Sequence, residues 1–326
     1  MKKLALLALA LVLLLSSVFA LAAEEKLVYG NIAYYMADDW NMYSTKAFTY
    51  AAEKHGVDVI VMDSENSIET SIACMESLIQ QGVDGICLFP ISGPQAATLI
   101  DMANEAGIPI TIENLDISAF AEDDTYIHAV GCVYADIGYA AIEWLAKNIE
   151  NPKVFYCAGA VGGGVYEFYQ EGVDRALNDY AGQIEIVGIL NTTDWSTEDG
   201  LALTENFINS GTEFNAVFAN SDQIAIGCYQ ALETFGMTDI PIVSTGGSPD
   251  AYGMIEEGIE AANMTAPVSL QGVMAFKDLH EFITEGKIAE TKFSNLPVIP
   301  VGVDNMGDWI DWTDYAFAYD YVYGIE

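Results

Sequence analysis

Between Val57 and Asn114 the spacing of apolar residues alternates between strand-like and helix-like. Residues 57–62 (VDVIVM) are β-branched and apolar on both parities, the pattern of a strand buried on both faces. Ile68, Ile72, Met75 and Ile79 recur at three- and four-residue intervals, which predicts a helix with one apolar face. Asn66 and Glu69 form a capping-box start for it, and Gly82 stops it by accepting a left-handed backbone. A strand over 84–90 follows, then a helix opened by Pro94 and closed by Gly107, then a strand over 108–112. This last strand delivers Glu113 and Asn114 to its carboxyl end. Parallel strands joined through helices form a doubly wound sheet, and ligands bind outside the carboxyl ends of such strands.

The same alternation predicts strands over 27–34, 126–132, 153–157, 183–190, 216–219 and 241–244, and helices over 43–55, 136–149, 166–178, 197–209 and 270–286. The turn after the first strand carries Asp38, Asp39, Trp40 and Asn41, where one aspartate is also the natural helix cap. The turn after 153–157 is rich in glycine (159–164), but its spacing is neither the dinucleotide fingerprint nor a phosphate loop. His55, His128 and His280 are scattered, without partners at metal or triad spacing. His128 reads as a satisfied core residue.

A series of short motifs occurs in fixed order: Asp63-Ser64-Glu65-Asn66, Gly82-Val83-Asp84-Gly85-Ile86, Pro90-Ile91-Ser92, 103–110 (ANEAGIPI), 128–138 (HAVGCVYADIG), 168–177 (FYQEGVDRAL), 192–200 (TTDWSTEDG), 216–232, 240–251 (IPIVSTGGSPDA) and 270–273 (LQGV). Over roughly residues 27–300 this series resembles the sugar-type, ribose-binding-like periplasmic solute-binding proteins of ABC transporters. The resemblance implies an α/β architecture of two doubly wound parallel-sheet lobes, joined by a hinge that the chain crosses three times. The crossings fall near Gly131, Ala266 and 295–300. They divide the chain into a leader (1–22), an N-terminal lobe (23–131 plus about 265–296) and a C-terminal lobe (132–264 plus about 297–326) that includes the tail.

The resemblance also implies ligand contacts at the strand-to-helix turns. Candidates at the lobe edges are Asp38, Asp39, Trp40, Asn41, Glu113, Asn114, Tyr166, Tyr169, Trp195, Ser221 and Asp222. Trp40 and Trp195 are the stacking aromatics; carboxylates and amides take hydroxyls. The chain departs from the family where sugar binders often carry arginine, aspartate and asparagine; here these positions are Tyr169, Gly246 and Ser221. With no lysine or arginine at the candidate positions, an anion would be left unpaired in a desolvated cleft. A neutral sugar or polyol fits, and a cationic amine is the alternative because it would neutralise converging carboxylates.

Composition narrows the classes further. Eleven Lys and Arg stand against 48 Asp and Glu, a net charge of −37, which repels nucleic acid and anionic membrane. Met1-Lys2-Lys3, the apolar run 4–15 and Ala20-Leu21-Ala22 read as a secretory signal peptide cleaved after Ala22, and the first cysteine, Cys74, lies too far on to carry a lipid. A monomeric periplasmic or secreted product without cofactor or metal is expected. Of five dispersed cysteines, four lie within apolar runs and read as buried free thiols; the odd count leaves at least one unpaired and allows one disulfide at most. No nucleophile elbow, metal motif or phosphate loop supports an enzyme. The partners expected are a small solute and an ABC permease, with a chemoreceptor or kinase in the permease's place if the clamp is a sensor. The aromatic, acidic tail 303–326 lies beyond the resemblance and reads as an element packed on one lobe.

Overall fold

The computed structural model describes residues 26–122, 124–162 and 164–325; the expected signal peptide lies outside them. The first lobe opens with β1 (Val28–Ala33), α1 (Asp39–Lys54), β2 (Asp58–Asp63), α2 (Ile68–Gln81), β3 (Gly85–Leu88), α3 (Gly93–Ala106), β4 (Ile110–Asn114) and β5 (Ala129–Gly131). The second contains α4 (Tyr134–Asn148), β6 (Lys153–Ala158), α5 (Val165–Asp179), β7 (Glu185–Asn191), α6 (Thr197–Asn209), β8 (Ala216–Ala219), α7 (Asp222–Thr234), β9 (Ile242–Gly246), α8 (Pro249–Glu256) and β10 (Glu260–Thr265). Then follow α9 (Val268–Glu285), β11 (Phe293–Asn295), β12 (Ile299–Val301), a 3₁₀ turn (Val303–Asp308) and α10 (Tyr315–Tyr323).

Two six-stranded sheets result, ordered β11-β5-β4-β3-β1-β2 and β12-β10-β9-β8-β6-β7. Every pairing is parallel except that of β10 with β12. The chain passes between the sheets after β5, after β10 and between β11 and β12. In both sheets the order reverses beside the first strand, so the strand ends there form a crevice. Glycine lets the helices beside the site approach closely. A Cβ on Gly272 of α9 would lie 2.0 Å from the Ser44 carbonyl of α1, and one on Gly172 of α5 would lie 1.7 Å from the Ala135 carbonyl of α4. The first contact brings Gln271 to Ser44; the second fixes Tyr169 beside Tyr134.

Several local expectations change. β2 is an edge strand, paired with β1 alone, and its residues are exposed or half-buried. Helix α2 is capped by Ser67, whose side chain accepts from the Thr70 amide, and Asn66 stands outside at φ 53°. The buried face is Ser71, Cys74, Met75 and Leu78, which leaves Ile68 53% exposed. Gly82 and Gly107 end their helices at φ 68° and 72°, as their positions predict.

The tail departs most. Expected as part of the second lobe, it starts there with the 3₁₀ turn that follows β12, but α10 packs on the first lobe. Tyr319 OH lies 3.0 Å from His55 Nε2, and Lys277 Nζ donates to the Val322 carbonyl at 3.2 Å. His55 and His280 thus have partners after all: their rings lie 4.7 Å apart, and His280 Nδ1 is 2.9 Å from Tyr29 OH. Burial lowers the pKa of both imidazoles. His128 is a buried core residue bonded to Asp278 and Ser294. All five cysteines are buried and free. Among the described residues no group of three or more His, Cys, Asp or Glu side chains is placed to hold a metal, and no helix is long and apolar enough to cross a membrane.

Candidate functional site: the cleft between the two sheets

The carboxyl ends of the two sheets face each other across a cleft. Gln223 Nε2 of α7 donates to Asp39 Oδ2 of α1 across it at 3.2 Å. Burial first, then Asp38 from the first lobe and Asp194 from the second, push the Tyr34 phenol up to about 12. Tyr134, just past the first crossing, gives its hydroxyl proton to Asn114 Oδ1 and stacks obliquely on Tyr169 at 5.2 Å.

Asp38 is the side chain on which this region converges. The turn after β1 places it at the cap of α1, where one oxygen accepts the Asn41 amide at 2.9 Å. Burial pushes its carboxyl up to about 6; the Asn41 bond opposes this and Asp39 adds to it. Among the described residues it makes no ion pair. Asn41 is fully buried; its Oδ1 accepts the Tyr35 amide at 2.8 Å and its Nδ2 has no partner. Trp40 is half-buried, its indole nitrogen also without a partner. Its ring meets Trp312 edge-on at 5.4 Å.

On the opposite lobe, Trp195 sits at φ 65° with its ring on the backbone of Gly159; a Cβ there would come within 2.0 Å of the indole. Asn220 ends β8. Its Oδ1 accepts from Tyr156 OH at 2.8 Å and the Gly159 amide at 2.9 Å, which leaves a buried Nδ2 unpartnered. Thr245 Oγ1 donates to the Asn220 carbonyl at 2.7 Å, so Tyr169 OH, 2.8 Å away, is the donor to Thr245. Tyr166 is half-buried and bonds Gln170 of its own helix at 3.4 Å.

Two expected contacts are engaged elsewhere. Glu113 is 0% exposed, and its oxygens accept from Ser44 at 2.5 Å, Cys87 at 3.1 Å and Gln271 at 3.4 Å, all of the first lobe. Asp222 is buried, and its oxygens accept the Gly247 and Ser248 amides at 3.0 and 2.7 Å, Asn263 Nδ2 at 2.7 Å and Ser244 Oγ at 3.3 Å. Burial raises both carboxyls, and these donors oppose it. Each carboxylate ties its own lobe together rather than facing across the cleft. The space beside Gly246 is taken by Asp222: a Cβ at 246 would lie 2.5 Å from its Oδ2. Ser221 caps α7 by accepting the Ile224 amide at 3.2 Å, so its hydroxyl is engaged as well. Tyr134, Asn220 and Gln223 escaped the sequence reading. Asn220 immediately precedes the Ser221-Asp222 pair, and Tyr134 lies inside the 128–138 motif.

The model described as "Periplasmic binding protein domain" matches residues 29–288. The ribose import binding protein of Bacillus subtilis (strain 168) is 26% identical over 247 residues, covering 76% of this chain and 78% of that protein. The galactofuranose-binding protein of Escherichia coli (strain K12) is 26% identical over 283 residues, covering 84% and 87%. Among solved structures, an ABC transporter solute-binding protein from Bacillus halodurans C-125 with bound myo-inositol superposes at a TM-score of 0.78 with 25% identity, covering 87% of this chain and 96% of that one.

Proposed function

The chain belongs to the periplasmic binding protein family, and from that premise we propose that it captures a neutral sugar or polyol between its lobes and presents it to an ABC-type importer. The family places it outside the cytoplasm. Release after cleavage at Ala22 is the form that the first 22 residues suit.

The observation that carries the ligand class is the unmatched polarity of the cleft turns. One carboxylate, Asp38, has no cation beside it, and the amides of Asn41 and Asn220, one from each lobe, are buried without acceptors. An unpartnered buried amide costs about 1–3 kcal/mol, which a ligand oxygen recovers. Hydroxyl groups donate to Asp38 and accept from the amides, so one polyhydroxylated molecule serves both. A carboxylate or phosphate would meet Asp38 and Asp39, and the Lys46 charge that reaches this region already acts on Asp39. The case for an amine rested on several carboxylates converging. With Glu113 and Asp222 committed within their lobes and Asp39 bonded to Gln223, that case has lost most of its charge. We assign Asp38, Asn41, Asn114, Tyr134 and Asn220 to polar contacts and Trp195 to stacking, with Trp40 at the rim.

A thermal-shift panel tests the class. A ligand at a hundredfold excess over its Kd adds about 2.7 kcal/mol to apparent stability. Ribose, xylose, galactose or myo-inositol should raise the melting temperature; glucuronate, ribose 5-phosphate and cationic amines should not. Tight binding of a sugar phosphate would contradict the proposal.

A further inference from the structure

Past the third crossing the chain crosses the cleft again. β12 and the 3₁₀ turn belong to the second lobe, and Trp309 packs edge-on against Tyr252 of α8 at 5.4 Å. Six residues later α10 begins on the first lobe, capped by Asp314, whose side chain accepts the Phe317 amide at 2.9 Å. There Tyr315 and Tyr319 lie 6.1 and 6.3 Å from the Tyr50 ring.

Trp312 lies between these anchorages and is 2% exposed. Its indole nitrogen donates to the Ala266 carbonyl, on the second crossing, at 2.9 Å. Its ring is edge-on to Trp40 at 5.4 Å and to Tyr43 at 5.8 Å, both on α1 of the first lobe. On the other side it lies against Gly247 of the second lobe, where a Cβ would sit 3.2 Å from the indole nitrogen. One side chain therefore touches both lobes and a hinge segment, and rotation of the lobes about the hinge must break one set of these contacts. The segment lies outside the 29–288 span of the family match.

We propose that residues 303–325 form a fourth, strap-like crossing in which Trp312 is the pin: it restrains opening of the lobes and fixes the position of Trp40 at the cleft. Trp312 is a positioning residue. It acts through Trp40 and the hinge, and its role holds whatever the ligand is.

The test uses the full-length, ligand-free protein. Trp312→Ala should raise the radius of gyration in small-angle scattering. It should also increase deuterium uptake at 38–43 and 265–268 about tenfold, while β3 and β8 keep their protection. Trp312→Phe keeps a ring against Trp40 but loses the bond to Ala266. It should raise uptake at 265–268 with a smaller change in scattering, and it decides the matter alone if the alanine variant does not fold. Unchanged scattering with extra uptake confined to 303–325 would overturn the proposal, because the tail would then be packed on the lobes without restraining them. So would unchanged uptake at 265–268 in Trp312→Phe. Neither readout involves a sugar, so the strap and the ligand assignment can fail separately.

Discussion

Asp38→Asn separates a residue kept for a ligand from one kept for the fold. Burial moves the Asp38 carboxyl from an ordinary 3.8 to about 6. The folded protein thus holds this proton more tightly than the unfolded chain does. The ionised form is therefore a liability that is absent below about pH 4, grows between about 4 and 6 and is complete above about 6. A displacement of that size has a ceiling of about 3 kcal/mol. The side chain is only half-buried, and solvent screening brings the expected cost to about 1–2 kcal/mol. Asparagine keeps an oxygen for the Asn41 amide and is as good a helix cap as aspartate. In urea unfolding of the ligand-free protein, Asp38→Asn should be more stable by about 1–2 kcal/mol near pH 7.5, and the gap should close towards pH 4. The same variant should bind its sugar about tenfold or more weakly, because a hydrogen bond to a charged group contributes about 1.5–3 kcal/mol. A variant less stable at neutral pH would mean that the carboxylate has a stabilising partner, and the reasoning would fail. Unaltered affinity would remove Asp38 from the site.

Gly159→Ala should displace the Trp195 ring by about 1.5 Å to reach van der Waals distance from the new methyl. Calorimetry should show binding weakened by about 1–2 kcal/mol with a melting temperature nearly unchanged, since the half-buried ring can swing outward; a large drop in melting temperature would make Trp195 core. Glu113→Gln should cost about 1–3 kcal/mol of stability in denaturant melts, as the new amide meets Gln271 Nε2 and the Ser44 hydroxyl, both donors to the original carboxylate. Its effect on affinity should be smaller than that of Asp38→Asn. Affinity for a neutral sugar should change less than about twofold between low and high salt, whereas a cationic ligand would show a steep dependence in the same titration.

The sheets were legible because their punctuation is chemical: Gly82 and Gly107 take the left-handed conformation their positions require, and the apolar runs between them match the strands. The same local logic misled at β2, since a β-branched run does not say whether a second neighbour will pair with it. The site was legible as a set of turns but not as a set of roles. Glu113 and Asp222 do stand at strand ends. Their partners Ser44, Cys87, Gln271, Gly247, Ser248 and Asn263 come from distant segments, and no spacing in the sequence announces that these donors converge. Asn220 was hidden by the acidic residue two places on. The tail's aromatic composition signalled burial but carried no information on which lobe supplies the cover, and it bridges both.

The central claim is that one neutral polyhydroxylated molecule is held by both lobes at once. A crystal structure of the protein with the strongest sugar of the thermal-shift panel tests it most directly. Electron density should lie between the sheets, with hydroxyls in hydrogen-bond reach of Asp38 and Asn41 on one side and Asn220 on the other, and a ring face against Trp195. Density confined to one lobe, or a ligand whose oxygens avoid both Asp38 and Asn220, would contradict it.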